Sequence, residues 1–85
     1  MIEFTVIIKD PIGIHARPAG LLVKEATMYK SNITLQLNEK TADCKRIFSV
    51  MGLAVKYGDN LKVIISGCDE EKAAYSLKHF FDNNL

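Results

Sequence analysis

The sequence predicts an α+β domain built as a two-layer sandwich, a sheet with helices packed on it. Three observations lead there. Several short segments alternate apolar and polar residues with a period of two. Longer segments repeat apolar residues at spacings of three and four. The 85 residues hold a single domain, residues 1–85, with one modest core and little room for a deep substrate cleft.

The first strand places Ile2, Phe4, Val6 and Ile8 on one face and Glu3, Thr5 and Ile7 on the other. Asp10-Pro11-Ile12-Gly13 breaks that alternation. A helix follows from about Ala16 to Met28, with Ala19, Leu22, Val23 and Ala26 as its apolar stripe. Pro18 suits the first helical turn, where a missing N–H costs little, so the helix starts immediately after His15. Ile33, Leu35 and Leu37 alternate with Asn32, Thr34 and Gln36, and Asn38-Glu39 turns this strand into a third. From Arg46 to Leu53 the repeat of Ile47, Val50, Met51 and Ala54 predicts a short, partly exposed helix. Leu61, Val63 and Ile65 mark the fourth strand. After Gly67, Asp69 is placed to cap a final helix that buries Ala73, Ala74, Leu77, Phe80 and Phe81. The second sheet face, with Thr5, Thr34, Gln36, Lys62 and Ser66, is left to solvent, as antiparallel sheets allow.

Composition removes several classes of function. Eleven Lys and Arg against ten Asp and Glu give a net charge of +1, so no bulk attraction to nucleic acid or anionic lipid is expected. No apolar stretch approaches the roughly 20 residues that cross a bilayer. The first residues lack the basic and apolar segments of an export signal, so a cytoplasmic location is expected. Cys44 and Cys68 share no close spacing with each other or with the histidines, which argues for inert thiols and against a redox pair or metal site. There is no GxxxxGK[ST] loop and no carboxylate cluster near His15, so neither nucleotide, cofactor nor metal is expected.

The chemistry concentrates in Gly13-Ile14-His15-Ala16-Arg17-Pro18-Ala19. A helix start offers unpaired N–H groups, here those of Ala16 and Arg17, and the positive end of the helix dipole, which together suit a phosphate. The Arg17 guanidinium adds a fork of donors matched to phosphate oxygens. Imidazole is the side chain whose neutral, nucleophilic form is abundant near neutral pH, and its bond to phosphorus breaks readily. His15 and Arg17 are therefore the candidate acceptor and its phosphate-stabilising partner.

The GIHARPA run resembles the active-site motif of the HPr family, the histidine-containing phosphocarriers of the phosphoenolpyruvate-dependent sugar phosphotransferase system (PTS). The similarity continues through Lys40-Thr41, the RIFSVMGL run, the Gly58 turn, Ser66-Gly67 and Asp69-Glu70, and so covers essentially the whole chain. The resemblance implies an open-faced sandwich of four antiparallel strands covered on one face by three helices. It implies a carrier rather than an enzyme. His15 would be phosphorylated on Nδ1 by phosphorylated enzyme I, and the group would pass to the IIA domain of a sugar permease. PTS-linked regulators would be further partners of a monomeric protein without cofactor. It also implies a docking surface of Gly20, Leu21, Lys24, Arg46, Ile47, Phe48 and Met51.

Two positions depart from the family pattern. Many Gram-positive relatives carry a regulatory serine where Arg46 stands, so that switch is expected to be missing and a cation to face an acidic partner instead. Pro11-Ile12 replaces a stretch that usually offers a polar side chain, so backbone donors carry more of the phosphate. Several side chains carry a second reading. Ile47 and Met51 divide between docking face and core, Phe48 points outward as an anchor, and Ser49 and His79 read as solvent-facing. The alternative function is an HPr-like regulatory module that docks partners without moving phosphate. Retention of His15 and Arg17 counts against it.

Overall fold

The computed structural model describes all 85 residues and contains no cis peptide bond. The alternating segments form strands β1 (Ile2–Ile7), β2 (Asn32–Leu37), β3 (Lys40–Asp43) and β4 (Asn60–Ser66). The helical segments form α1 (Ala16–Ala26), α2 (Ile47–Gly52) and α3 (Glu70–Asn84). The strands make one antiparallel sheet in the order β1-β4-β2-β3. Its register places Phe4 beside Val63 and Val63 beside Leu35, so that apolar residues of neighbouring strands share a face. The three helices cover that face, and the other stays open, with Thr5, Lys62 and Ser66 exposed and Thr34 and Gln36 half-buried.

The core lies between the layers. Leu35, Leu61, Val63 and Ile65 of the sheet meet Ala19 and Leu22 of α1, Val50 of α2 and Leu77 of α3, all fully buried. Val23, Leu37 and Phe80 sit at its rim, half-buried. Cys44 is inside this core, and burial first, then the neighbouring Asp43 charge, pushes its thiol up to about 12. Cys68 is exposed, and both thiols are free.

Three expectations are corrected. The first helix ends at Ala26, two residues before Met28. The phase of α2 also differs: Val50 and Leu53 are buried, while Met51 is 38% exposed and Ala54 is exposed. The helix ends at Gly52, and Ala54 takes a left-handed φ of 54°, which carries it off the buried face. Asp69 stands at the start of α3 but caps nothing there with its side chain. Its carboxylate instead accepts the N–H groups of Lys30 at 2.8 Å and Ser31 at 2.9 Å, and the Ser31 hydroxyl at 2.5 Å. These bonds, that of the Ser31 hydroxyl foremost, hold the Asp69 carboxyl down at about 2. They tie the entry of β2 to the entry of α3. Gly67 completes the joint, because a Cβ there would come within 2.6 Å of the Ser31 Cα.

Candidate functional site: a histidine at a helix start

The approach to His15 is fixed by backbone bonds. Lys9 N–H and Asp10 N–H donate to the Leu85 main-chain oxygen at 2.5 and 3.0 Å. The Asp10 carbonyl accepts Gly13 N–H at 3.0 Å, and its Oδ1 accepts Ile12 N–H at 2.9 Å. Ile14 N–H then donates to the Val55 carbonyl at 3.0 Å. Gly13 turns the chain with φ 82°, and a Cβ there would meet the Val55 oxygen at 2.3 Å and the Lys56 Cα at 2.7 Å. Only glycine fits that contact.

His15 is the N-cap residue of α1, with extended backbone (φ −109°, ψ −172°), and its carbonyl accepts Ala19 N–H at 2.9 Å. Its side chain makes no capping bond, so the ring is not spent on the helix. The N–H groups of Ala16 and Arg17 have no protein acceptor, and Pro18 has none to offer. No acidic residue lies in the first turn to occupy the positive end of the dipole. Arg17 is exposed and forms no ion pair; the two ion pairs in the structure are Met1 with Glu70 and Arg46 with Asp43.

His15, Arg17, Pro18 and Leu21 share an open concavity of about 270 Å³ with Asp10 and Asn84. Three larger depressions lie elsewhere. One of about 460 Å³ runs between α1 and α3, one of about 470 Å³ lies around Cys68 and Glu71, and one of about 430 Å³ lies where β2 and β3 meet Ser49. None combines a nucleophile with free helix-start amides and an unpaired guanidinium, so chemistry rather than size selects the concavity at His15. His79, on the wall of the first depression, is exposed and packs against Tyr75 with the rings tilted at 59° and their centroids 4.5 Å apart. No group of three or more His, Cys, Asp or Glu is arranged to hold a metal ion.

The docking residues read from sequence fall on α1 and α2, which abut where Gly20 faces Ile47; a Cβ on Gly20 would lie 3.7 Å from the Ile47 Cδ1. Phe48 is 85% exposed and Leu21 is 45% exposed, with Met51 on the same pair of helices and Lys24 exposed on α1. Ile47 is half-buried and packs against the core. Arg46 is the N-cap residue of α2 without a side-chain capping bond, its Nε 3.8 Å from Asp43 Oδ2. Ser49 is not solvent-facing: it is half-buried and its Oγ accepts Asp43 N–H at 3.2 Å. Asp10 went unremarked in the sequence as a site residue. The local pattern carries the signal, since an Asp three residues before Gly13 and five before the N-cap His15 favours a side-chain-closed turn. At Ile12 the side chain is exposed and the N–H is taken by Asp10, so neither serves a phosphate.

Residues 2–83 match the model of the PTS-HPr family, described as the PTS HPr component phosphorylation site. The chain is 48% identical over 75 residues to the phosphocarrier protein HPr of Lysinibacillus sphaericus, covering 88% of this chain and 83% of that one. To the HPr of Mycoplasma capricolum subsp. capricolum it is 42% identical over 78 residues, covering 92% and 88%. Among solved structures, the histidine-containing phosphocarrier protein of a Mycoplasma superposes with a TM-score of 0.93 at 39% identity, covering 96% of this chain and 93% of the other. The HPr-like protein Crh of Halalkalibacterium halodurans is 35% identical over 82 residues, covering 96% and 98%. A Bacillus subtilis Crh structure gives a TM-score of 0.78 at 32% identity, covering 100% and 98%.

The four-stranded antiparallel sheet backed by three helices is shared with the solved phosphocarrier, and with the matching family model it places the chain among the small phosphoryl carriers. The chain belongs to the HPr family of PTS phosphocarriers, and it is a carrier rather than an enzyme. No helix is long and apolar enough to cross a membrane.

Proposed function

We propose that His15 is the phosphoryl acceptor, that its Nδ1 takes the group from phosphorylated enzyme I, and that the group then passes to the IIA component of a sugar permease. The observation that carries this reading is the unspent helix start: the imidazole at the N-cap beside the free N–H groups of Ala16 and Arg17 and the unpaired Arg17 guanidinium. In the first step the Nδ1 lone pair forms the bond to phosphorus while the donor's bond to phosphorus breaks. The second step reverses the roles, and the electron pair of the N–P bond returns to the imidazole. The amides and the guanidinium hold the oxygens during both steps. An open site suits this exchange, because strong ground-state binding would stall the donation.

Leu21, Phe48 and Met51, with Gly20 and Ile47 between them and Lys24 and Arg46 as flanking cations, form the surface that both partners dock on. Arg46 leaves this carrier without the serine brake of many Gram-positive relatives. The protein works as a cytoplasmic monomer, and PTS-linked regulators dock on the same face. A regulatory module that docks without carrying phosphate is disfavoured by the retained His15 and Arg17.

Incubation with phosphoenolpyruvate and enzyme I tests the reading. The intact protein takes up one acid-labile, base-stable phosphate, and His15→Ala takes up none. An unlabelled wild-type protein, or a labelled His15→Ala variant, refutes it.

A further inference from the structure

The concavity at His15 has one anionic wall that the transfer chemistry does not call for. Asp10 lines it together with His15 and Arg17, yet no ion pair joins Asp10 to Arg17. Asp10 also closes the turn that delivers the chain to His15. Its Oδ1 accepts Ile12 N–H at 2.9 Å, its carbonyl accepts Gly13 N–H at 3.0 Å, and its own N–H donates to the Leu85 main-chain oxygen at 3.0 Å. Three bonds from one residue thus fix the last turn before the helix start.

The turn does not need the charge. An asparagine offers the same Oδ1 acceptor and is at least as common in side-chain-closed turns. A formal negative charge in the concavity that receives a phosphoryl dianion is therefore a separate property of this residue. A phosphoryl group on His15 enters a concavity whose lining includes one cationic residue, Arg17, and one anionic residue, Asp10. The cation assists the phosphorane-like transfer state and the resting phosphohistidine alike. The anion repels the resting group and so favours its departure.

We propose that Asp10 is a positioning residue of the phosphoryl site with two separable effects: its side chain clasps the turn that sets His15 at the helix start, and its charge raises the tendency of the phosphoryl group to leave. The proposal rests on His15 being the acceptor. As the group leaves, the N–P bond breaks, its electron pair returns to the imidazole, and a new bond forms between phosphorus and the acceptor's nucleophile. Asp10 takes part in none of these bonds.

Asp10→Asn and Asp10→Ala separate the effects. With enzyme I and a fixed ratio of phosphoenolpyruvate to pyruvate, the equilibrium ratio of phosphorylated to free carrier rises roughly three- to tenfold in both variants, because both remove the charge. Hydrogen exchange of the Ile12 amide stays as slow as in the wild type in Asp10→Asn. It speeds up roughly fivefold or more in Asp10→Ala, which has lost the acceptor. A phosphorylation equilibrium within twofold of the wild type in Asp10→Asn overturns the charge effect. Unchanged Ile12 exchange in Asp10→Ala overturns the clasp. Failure of the underlying reading shows separately, as a wild-type protein that takes no phosphate or a His15→Ala variant that does, and it removes the proposal with it.

Discussion

At the scale of single residues, the site combines side chains left free of protein partners, such as Arg17, with residues that hold the backbone, such as Asp10 and Gly13. Arg17 is exposed and unpaired, so its loss should cost the fold little while removing a charge-assisted grip on the phosphoryl oxygens. Arg17→Ala should leave the unfolding free energy within about 0.5 kcal/mol of the wild type and slow phosphoryl transfer by roughly tenfold or more. Denaturant unfolding and single-turnover transfer measure the two separately. Gly13 is the opposite case. A Cβ there meets the Val55 oxygen at 2.3 Å at a φ of 82°, so Gly13→Ala should destabilise by about 1–3 kcal/mol and displace the loop carrying His15. Asp69 supplies a pH signature. Its carboxyl is held at about 2, against an ordinary 3.8, so the folded state favours the ionised form. That stability is present above about 3.8 and disappears as pH falls through about 2. Acid unfolding curves should show this loss in the wild type and lack it in Asp69→Asn.

At the scale of elements, what could be read from the sequence was set by length and locality. Strands β1, β2 and β4 were legible because alternation over six or seven residues is a complete signal, as Leu61, Val63 and Ile65 against Lys62 and Ser66 show, whereas the four-residue β3 was legible only through the Asn38-Glu39 turn that precedes it. The start of α1 was legible because Pro18 and His15 constrain it locally. The phase of α2 was not, since six residues hold fewer than two turns and the left-handed turn at Ala54 is invisible in a pattern of apolar letters. Asp69 was misassigned for a different reason: its partners Lys30 and Ser31 lie 39 and 38 residues away, while a cap is a local feature. The same logic sorts the docking face. Phe48, 85% exposed on α2, contributes little to the core, so Phe48→Ala should leave stability nearly unchanged. It should raise the KM for transfer from enzyme I by roughly tenfold. Leu22 is fully buried on α1, and Leu22→Ala should cost about 2–5 kcal/mol.

At the scale of the whole molecule, one sheet face and three helices leave a small body whose chemistry is confined to one corner. That corner is where α1 begins, where Leu85 after α3 returns to Lys9 and Asp10, and where α2 abuts α1. A partner approaching this corner meets the imidazole, the free amides and the exposed apolar side chains together. A closed pocket would admit a small substrate but exclude a protein. With Arg46 at the start of α2, incubation with HPr kinase and ATP should yield no phosphoserine, and a stoichiometric phosphoserine would contradict the absence of a serine switch. The central claim, that His15 alone receives and returns the phosphoryl group, is tested most directly by following the imidazole nitrogens of His15 and His79 by NMR. The protein is first charged with phosphoenolpyruvate and enzyme I, then mixed with a IIA domain. The account predicts that the His15 Nδ1 signal shifts on charging and returns on mixing, with His79 unchanged throughout. A phosphate on His79, or a His15 signal that shifts and does not return, contradicts it.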